Sequence, residues 1–179
     1  MKTLITGISG SGKSTIVAEL KRLGEQTVDL DTAGVCGWFN KASGVQTQYK
    51  EGAGPVWINE HRWQVITPKL VALMQKFSQD RNIYVAGKVA RIQIPDMTKI
   101  FDRIILLKPN DEVIDERLSS RISNADNFAR TKEERETIIK NRQEFEDACL
   151  DAGAILLDNH GTVEEVVKKI DGVINNTVN

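Results

Sequence analysis

The sequence predicts an α/β fold: one five-stranded parallel sheet covered by helices on both faces, in three layers. Three observations carry that expectation. Short apolar runs alternate with longer amphipathic ones along the chain, the pattern of repeated strand-helix units. A glycine-rich loop stands between the first apolar run and the first amphipathic one. The 179 residues are 40% apolar, enough for a core without disulfide staples.

The elements follow in order. Thr3-Leu4-Ile5-Thr6 reads as the first strand. A helix is expected over 14–23, because Ile16, Val17, Leu20 and Leu23 share one face and Gly24 can end it. The second strand is expected at 27–31, the third at 83–86, the fourth at 103–108 and the fifth at 154–158. Helices are expected over 68–79 and over 111–122, where Val113, Ile114, Leu118 and Ile122 line up. A long helix is expected over 131–152, opened by a capping box of Thr131 with Glu134 and closed at Gly153. A last helix starts at Thr162, with Glu165 as its box partner. Parallel sheets of this kind bind ligands at the carboxyl ends of their strands.

One stretch breaks the rhythm. All three tryptophans, Trp38, Trp57 and Trp63, fall within 32–64, and Lys41-Ala42-Ser43-Gly44 reads as a hairpin turn after Trp38-Phe39. The segment is expected to be a lobe inserted after the second strand, in a chain that otherwise forms one domain over 1–179. Two readings of its aromatics stand: a small satellite core, or a cup over a substrate.

Charge narrows the partners. Lys+Arg number 24 and Asp+Glu 25, so no global field draws the chain to DNA, RNA or an anionic membrane surface. No apolar run approaches the ~20 residues of a bilayer span. The first residues form a strand and not a signal peptide, so a cytoplasmic location is expected. Cys36 and Cys149 form no CxxC motif and read as free thiols, and two histidines make a zinc site unpromising.

The chemistry is concentrated in Gly7-Ile8-Ser9-Gly10-Ser11-Gly12-Lys13-Ser14, which satisfies G-x-x-x-x-G-K-[ST] at every fixed position. Glycines let the backbone curl until successive N–H groups point at phosphate oxygens, and the helix that follows adds its positive end. Lys13 can reach the β- and γ-phosphates, and the Ser14 hydroxyl can meet Mg²⁺. Gly7, Ser9, Gly10, Ser11, Gly12, Lys13, Ser14 and Thr15 are therefore the expected ATP-binding residues. Asp31-Thr32-Ala33-Gly34 spells the DxxG of switch GTPases, but it follows Ser14 too closely for a switch segment and a further strand to fit between. The third strand ends in Gly87 without the acid of ATPase motors. Asp29 and Asp31 remain as candidates: at i and i+2 on a strand they would point the same way, one toward a magnesium-bound water and one toward an acceptor hydroxyl. The alternative is that Asp31 caps the next turn and Asp29 is solvated.

On these motifs the sequence resembles the small P-loop kinases, namely shikimate, gluconate and adenylate kinases and their relatives. GISGSGKST is similar to the gluconate-kinase loop, and the Asp-x-Asp at strand two to shikimate kinase. The resemblance implies the strand order 2-3-1-4-5, Asp29 as support for the magnesium hydration shell, and Asp31 as the contact to the acceptor hydroxyl. RIILLK followed by Glu116 to Arg121 resembles the fourth strand and the start of a helical lid over 117–135. That assigns Arg117 and Arg121 to adenine and the transferring phosphate, with 124–129 as the lid tip. Ala86-Gly87-Lys88 resembles the turn beside the acceptor. Arg142, followed by Phe145, resembles a helix arginine that holds an acidic acceptor. Leu157 to Thr162 resembles the loop beside adenine. The region 32–82 matches no named member.

Independently of the resemblance, Arg117 and Arg121 share a helix face, where mobile guanidinium groups can neutralise a phosphoryl-transfer transition state. The expected function is transfer of the γ-phosphoryl group of ATP, with Mg²⁺, to a small-molecule acceptor, with Lys13, Asp31, Arg117 and Arg121 as the catalytic set and Asp31, Gly87, Lys88 and Arg142 on the acceptor. A monomer or homodimer is expected. The alternatives are an ATP-binding regulatory protein with slow hydrolysis and a nucleotide or nucleoside kinase.

Overall fold

Neighbouring residues in the central strands are buried on opposite sides, which is what a sheet covered on both faces requires. The structure is a computed structural model that describes residues 1–120, 129 and 131–175. Its elements in chain order are β1 (Lys2–Thr6), α1 (Lys13–Arg22), β2 (Gln26–Asp29), β3 (Cys36–Asn40), β4 (Gln46–Thr47), α2 (Gly54–Glu60), β5 (His61–Val65), α3 (Thr67–Met74), β6 (Ile83–Ala86), α4 (Ile94–Met97), β7 (Arg103–Lys108), α5 (Asp111–Ser119), α6 (Lys132–Lys140), α7 (Arg142–Asp151), β8 (Ile155–Asp158) and α8 (Val163–Asn175).

The main sheet has five parallel strands in the order β2-β6-β1-β7-β8. Counting only these strands, that is the expected 2-3-1-4-5. On one face Leu4, Val28, Val85, Ile104 and Leu106 pack with Leu70, Met74, Met97, Phe145 and Cys149 from the helices. On the other, Ile5, Tyr84, Ile105 and Leu157 meet Ile16, Val17 and Leu20 of α1 and Val166, Val167, Ile170 and Ile174 of α8. Sheet period and helix period thus produce three layers. The turn after β1 and the chain after β2, β6 and β8 all emerge at the carboxyl end of the sheet. No described helix is long and apolar enough to cross a membrane.

A second, antiparallel sheet, β4-β3-β5, forms from the aromatic segment. The hairpin at 41–44 is present: the Asn40 side-chain oxygen accepts from Ala42 N and Ser43 N at 3.1 and 2.9 Å, and Gly44 takes φ 69°. The strand β5, which periodicity did not single out, pairs Trp63 directly with Trp38.

Three expectations need correction. The helix expected over 131–152 is two helices. Asn141 leaves helical geometry at φ −85°, ψ 4°, so that α6 can lean on α2 of the lobe while α7 packs on β7. The helix expected over 68–79 stops at Met74, where the Gln79 side chain donates to the carbonyls of Met74 and Phe77 and competes for them. Strand β2 stops at Asp29, so Asp29 and Asp31 are not two rungs of one strand. The Asp29 carboxylate instead accepts from the Asp31 N–H at 2.9 Å and turns the chain.

Candidate nucleotide and acceptor site

The phosphate loop leaves β1 at Thr6 and curls back before α1. Its glycines are required by space as well as by φ. A Cβ at Gly7 would sit 2.5 Å from Ser11 Oγ, and one at Gly12 would sit 2.7 Å from Asn159 Nδ2, where φ is 90°. Lys13 is buried, and its ammonium reaches back over the loop to donate to Ile8 O at 2.8 Å and Ser11 Oγ at 3.3 Å. Ser9 is half-buried at the loop, while Ser14 and Thr15 are exposed at the start of α1.

Two distant segments close this loop from above. Arg117, on α5, donates from Nη1 to Gly10 O at 3.4 Å. Asn159, just past β8, is 4% exposed and donates to Ser11 O at 2.5 Å. Asn159 was foreseen only as part of the 157–162 segment that resembles the loop beside adenine, not for its own amide. The capping box that follows it is formed, with Thr162 N and Glu165 Oε2 2.8 Å apart.

A cavity of about 460 Å³ opens from the loop. Ser9, Gly10, Gly12, Lys13, Ser14 and Thr15 line one side, with Arg117 and Asn159. Asp31, Lys88, Trp38 and Trp63 also line it. The tryptophans form the satellite core, and two of them also border the cavity. Trp38 packs at 5.6 Å from Trp63, 5.0 Å from Trp57 and 6.2 Å from Tyr49, and yet its ring is part of the cavity wall. The cluster is bolted to α6 through Glu134, whose fully buried carboxylate accepts from Tyr49 Oη at 2.6 Å and Gly54 N at 3.3 Å. Glu134 also makes the capping box with Thr131.

The structure separates the expected acceptor residues. Lys88 lines the cavity. It lies with Nζ 5.8 Å from the Phe145 ring centre, and desolvation pushes its pKa down, with a further push from Lys41 and a counter-pull from Asp31. Gly87 does not line the cavity. A Cβ there would come 2.5 Å from Leu30 Cβ, so this glycine serves the close approach of the chain leaving β2, where Leu30 N donates to Ala86 O. Arg142 does not line it either: its guanidinium is buried and donates to Glu146, Asp111 and Pro109 O. The expected hold on an acidic acceptor is corrected to a strut that ties α7 to the start of α5. Asp29 is half-buried behind Asp31 and does not line the cavity. Arg121 and, of the lid tip expected at 124–129, all but Ala129 lie outside the described residues. Both thiols are free, and burial lifts each to about 12, with Asp31 and Asp29 adding to Cys36 and Glu146 to Cys149.

The arrangement has the three-layer P-loop kinase fold. It resembles the solved shikimate kinase from Acinetobacter baumannii in complex with shikimate, with a TM-score of 0.62 and 14% identity over 99% of this chain and 95% of that one. It resembles deoxyadenosine kinase from M. mycoides with bound dATP, with a TM-score of 0.58 and 19% identity over 98% and 100%. An unliganded sugar kinase from Janibacter sp. aligns with a TM-score of 0.58 and 16% identity over 98% and 95%. At these identities the likeness is one of fold. No family model and no curated protein matches the sequence.

Proposed function

We propose that the protein is an ATP-dependent phosphotransferase that moves the γ-phosphoryl group to a hydroxyl of a small molecule. The observation that supports this best is that a single cavity joins a phosphate cradle to a second wall of different chemistry, Asp31, Lys88 and two indoles. A regulatory nucleotide-binding protein needs the cradle alone. The volume, about 460 Å³, falls within the usual range for small-ligand sites.

The residues divide the work. Backbone N–H groups of 9–14 and the start of α1 receive the phosphates, and the Lys13 ammonium exchanges its bonds to Ile8 O and Ser11 Oγ for phosphate oxygens. Arg117 and Asn159 border the same side and fit the base and the transferring group. The acceptor oxygen forms the new bond to the γ-phosphorus as the bond to the β,γ-bridging oxygen breaks. ADP departs, and Asp31 orients the hydroxyl and takes its proton. A hydroxyl from Ser14 on the cavity wall fits Mg²⁺, which keeps waters and phosphate oxygens and needs few protein ligands. Ser14, which lines the cavity, would hold it, and the ion would supply charge neutralisation along the phosphates; Asp29, expected to act on its waters, does not line the cavity.

The test is ADP formation from MgATP across a panel of hydroxyl compounds that includes sugars, sugar acids, hydroxy acids and nucleosides. Turnover should rise with one chemical class and saturate. If ADP release ignores every small molecule and responds only to a macromolecule, the proposal fails and the regulatory reading takes its place. Protection against melting by a nucleoside or mononucleotide would select the nucleoside-kinase variant of the same reading.

A further inference from the structure

Two segments close over the phosphate loop, and one side chain ties them to each other. Asn159 reaches the loop from the end of β8, and Arg117 reaches it from α5. His160, the residue after Asn159, accepts the backbone N–H of Asn110 on Nε2 at 3.0 Å. Asn110 is the N-cap of α5, and its side chain accepts from Val113 N at 2.8 Å. Arg117 lies about two turns further along the same helix. The imidazole therefore joins the root of one arm to the cap of the other, across 50 positions of chain.

This bond fixes the state of the ring. A backbone N–H can only donate, so Nε2 is bare and the proton of the neutral imidazole sits on Nδ1. Nδ1 faces the Asp158 carboxylate, which receives it. A second proton can go only to Nε2. There it would meet the Asn110 N–H, donor against donor, and the bond to α5 would be lost. The other charges on the surrounding elements are engaged elsewhere. Asp111 of α5 meets Arg142 of α7, and Lys108 of β7 meets Glu146 at 2.9 Å. Glu165 of α8 receives Thr162 N at 2.8 Å, and Lys169 Nζ lies 3.5 Å from the Asp158 carbonyl.

We propose that His160 is a positioning residue for the nucleotide site and acts as a proton-operated latch. Neutral, it holds the Asn159 segment and the cap of α5 together over the phosphate loop. Doubly protonated, it stays with Asp158 and releases α5. Nucleotide affinity therefore falls as the solution turns acid. By linkage, bound nucleotide opposes the second proton. The latch rests on reading the loop as a nucleotide site, but it needs neither an acceptor nor turnover.

MgADP is titrated calorimetrically into the full chain from about pH 8 down to about pH 5.5, the range in which histidines change charge. The phosphates of ADP and the second histidine, His61, bring their own pH dependence, so the parent is read against His160→Gln, which shares both. The glutamine oxygen can accept from Asn110 N throughout this range, and its amide N–H can face Asp158. The two proteins should bind alike at the alkaline end. Toward the acid end the parent should lose at least fivefold more affinity than His160→Gln. His160→Ala, with no acceptor, should bind at least fivefold more weakly at the alkaline end and follow the shallower slope of the glutamine variant. A proton NMR titration of the imidazoles gives an independent readout. MgADP should move the midpoint of the resonance that His160→Gln lacks to lower pH. Melting curves confirm that each variant folds.

Failure of the parent to bind MgADP at any pH would sink the nucleotide reading itself. With MgADP bound, the latch alone is overturned if His160→Gln keeps the parent's pH dependence, if His160→Ala binds as tightly as His160→Gln, or if MgADP leaves the imidazole midpoint where it was.

Discussion

The two sides of the cavity are built by opposite means. In the proposed function the phosphate side is one stretch of eight residues whose backbone would do the binding, with glycines where a Cβ would not fit. The proposed acceptor side comes from β2's exit, β3, β5 and the end of β6, and there side chains form the cavity wall. The first can be shared by any nucleoside triphosphate user, because a phosphate looks the same on all of them. The second must match one acceptor, so it is free to differ between proteins of one fold. The likeness to several solved kinases, at 14% to 19% identity over nearly the whole chain, is one of fold.

The contrast can be broken by variants that strike one side and spare the other. The largest effect is expected on the phosphate side. Lys13→Ala should cut kcat/KM for ATP by about 10²–10³-fold, since a charged donor is lost from a preorganised anion cradle. Melting should hardly move, and calorimetric titration with ATP together with turnover would check both halves. Asp31→Asn should lower kcat by about 10²-fold with ATP affinity unchanged, as expected for a proton acceptor beyond the nucleotide. An Asp31→Asn enzyme that turns over normally would remove the carboxylate from the reaction.

The next effect belongs to the link between lobe and helix. Tyr49→Phe removes the 2.6 Å hydrogen bond to Glu134, a carboxylate that solvent does not reach. The loss should be about 1–3 kcal/mol, seen as a drop in Tm of roughly 3–8 °C, with acceptor KM raised and ATP KM kept. Equal damage to both substrates would show that the lobe is not a separate wall.

The smallest effect is on stability without ligand. Burial and Lys41 hold the Lys88 pKa below the ordinary lysine value of 10.5, with Asp31 pulling the other way. The unfolded chain therefore holds this proton more tightly, and the folded chain bears a penalty that is full below the folded-state pKa. The penalty fades as pH rises through that value toward 10.5. Lys88→Met should thus melt at a higher temperature than the parent at pH 7, and the gap should narrow by pH 10. A variant that melts lower at neutral pH would mean that the ammonium has a structural partner.

Local signals were readable wherever one short segment decides the outcome. The glycines and Lys13 of the phosphate loop are such a case, because each φ and each N–H direction depends on its immediate neighbours. The boxes at Thr131 with Glu134 and at Thr162 with Glu165 are others. Signals failed where a distant group won the competition. Arg142 resembled a grip on an acidic acceptor, but Asp111 and Pro109 O, 31 and 33 positions earlier, occupy it together with Glu146 one turn on. Gly87 looked like a substrate turn, but Leu30 from another strand claims its space. Asn141 ends a helix that spacing would have continued, because the two halves lean on different bodies.

Amphipathic period, glycine placement and capping chemistry were enough to specify the layered sheet and the curled loop after its first strand. These properties act over a few residues, where chain connectivity alone sets the distances. The partnership of Trp38 with Trp63, the reach of Asn159 across 148 positions to Ser11 O, and the approach of Lys88 to the Phe145 ring arise only on folding. They depend on which strands become neighbours, and the free energy that decides this is summed over the whole core rather than written at any one position.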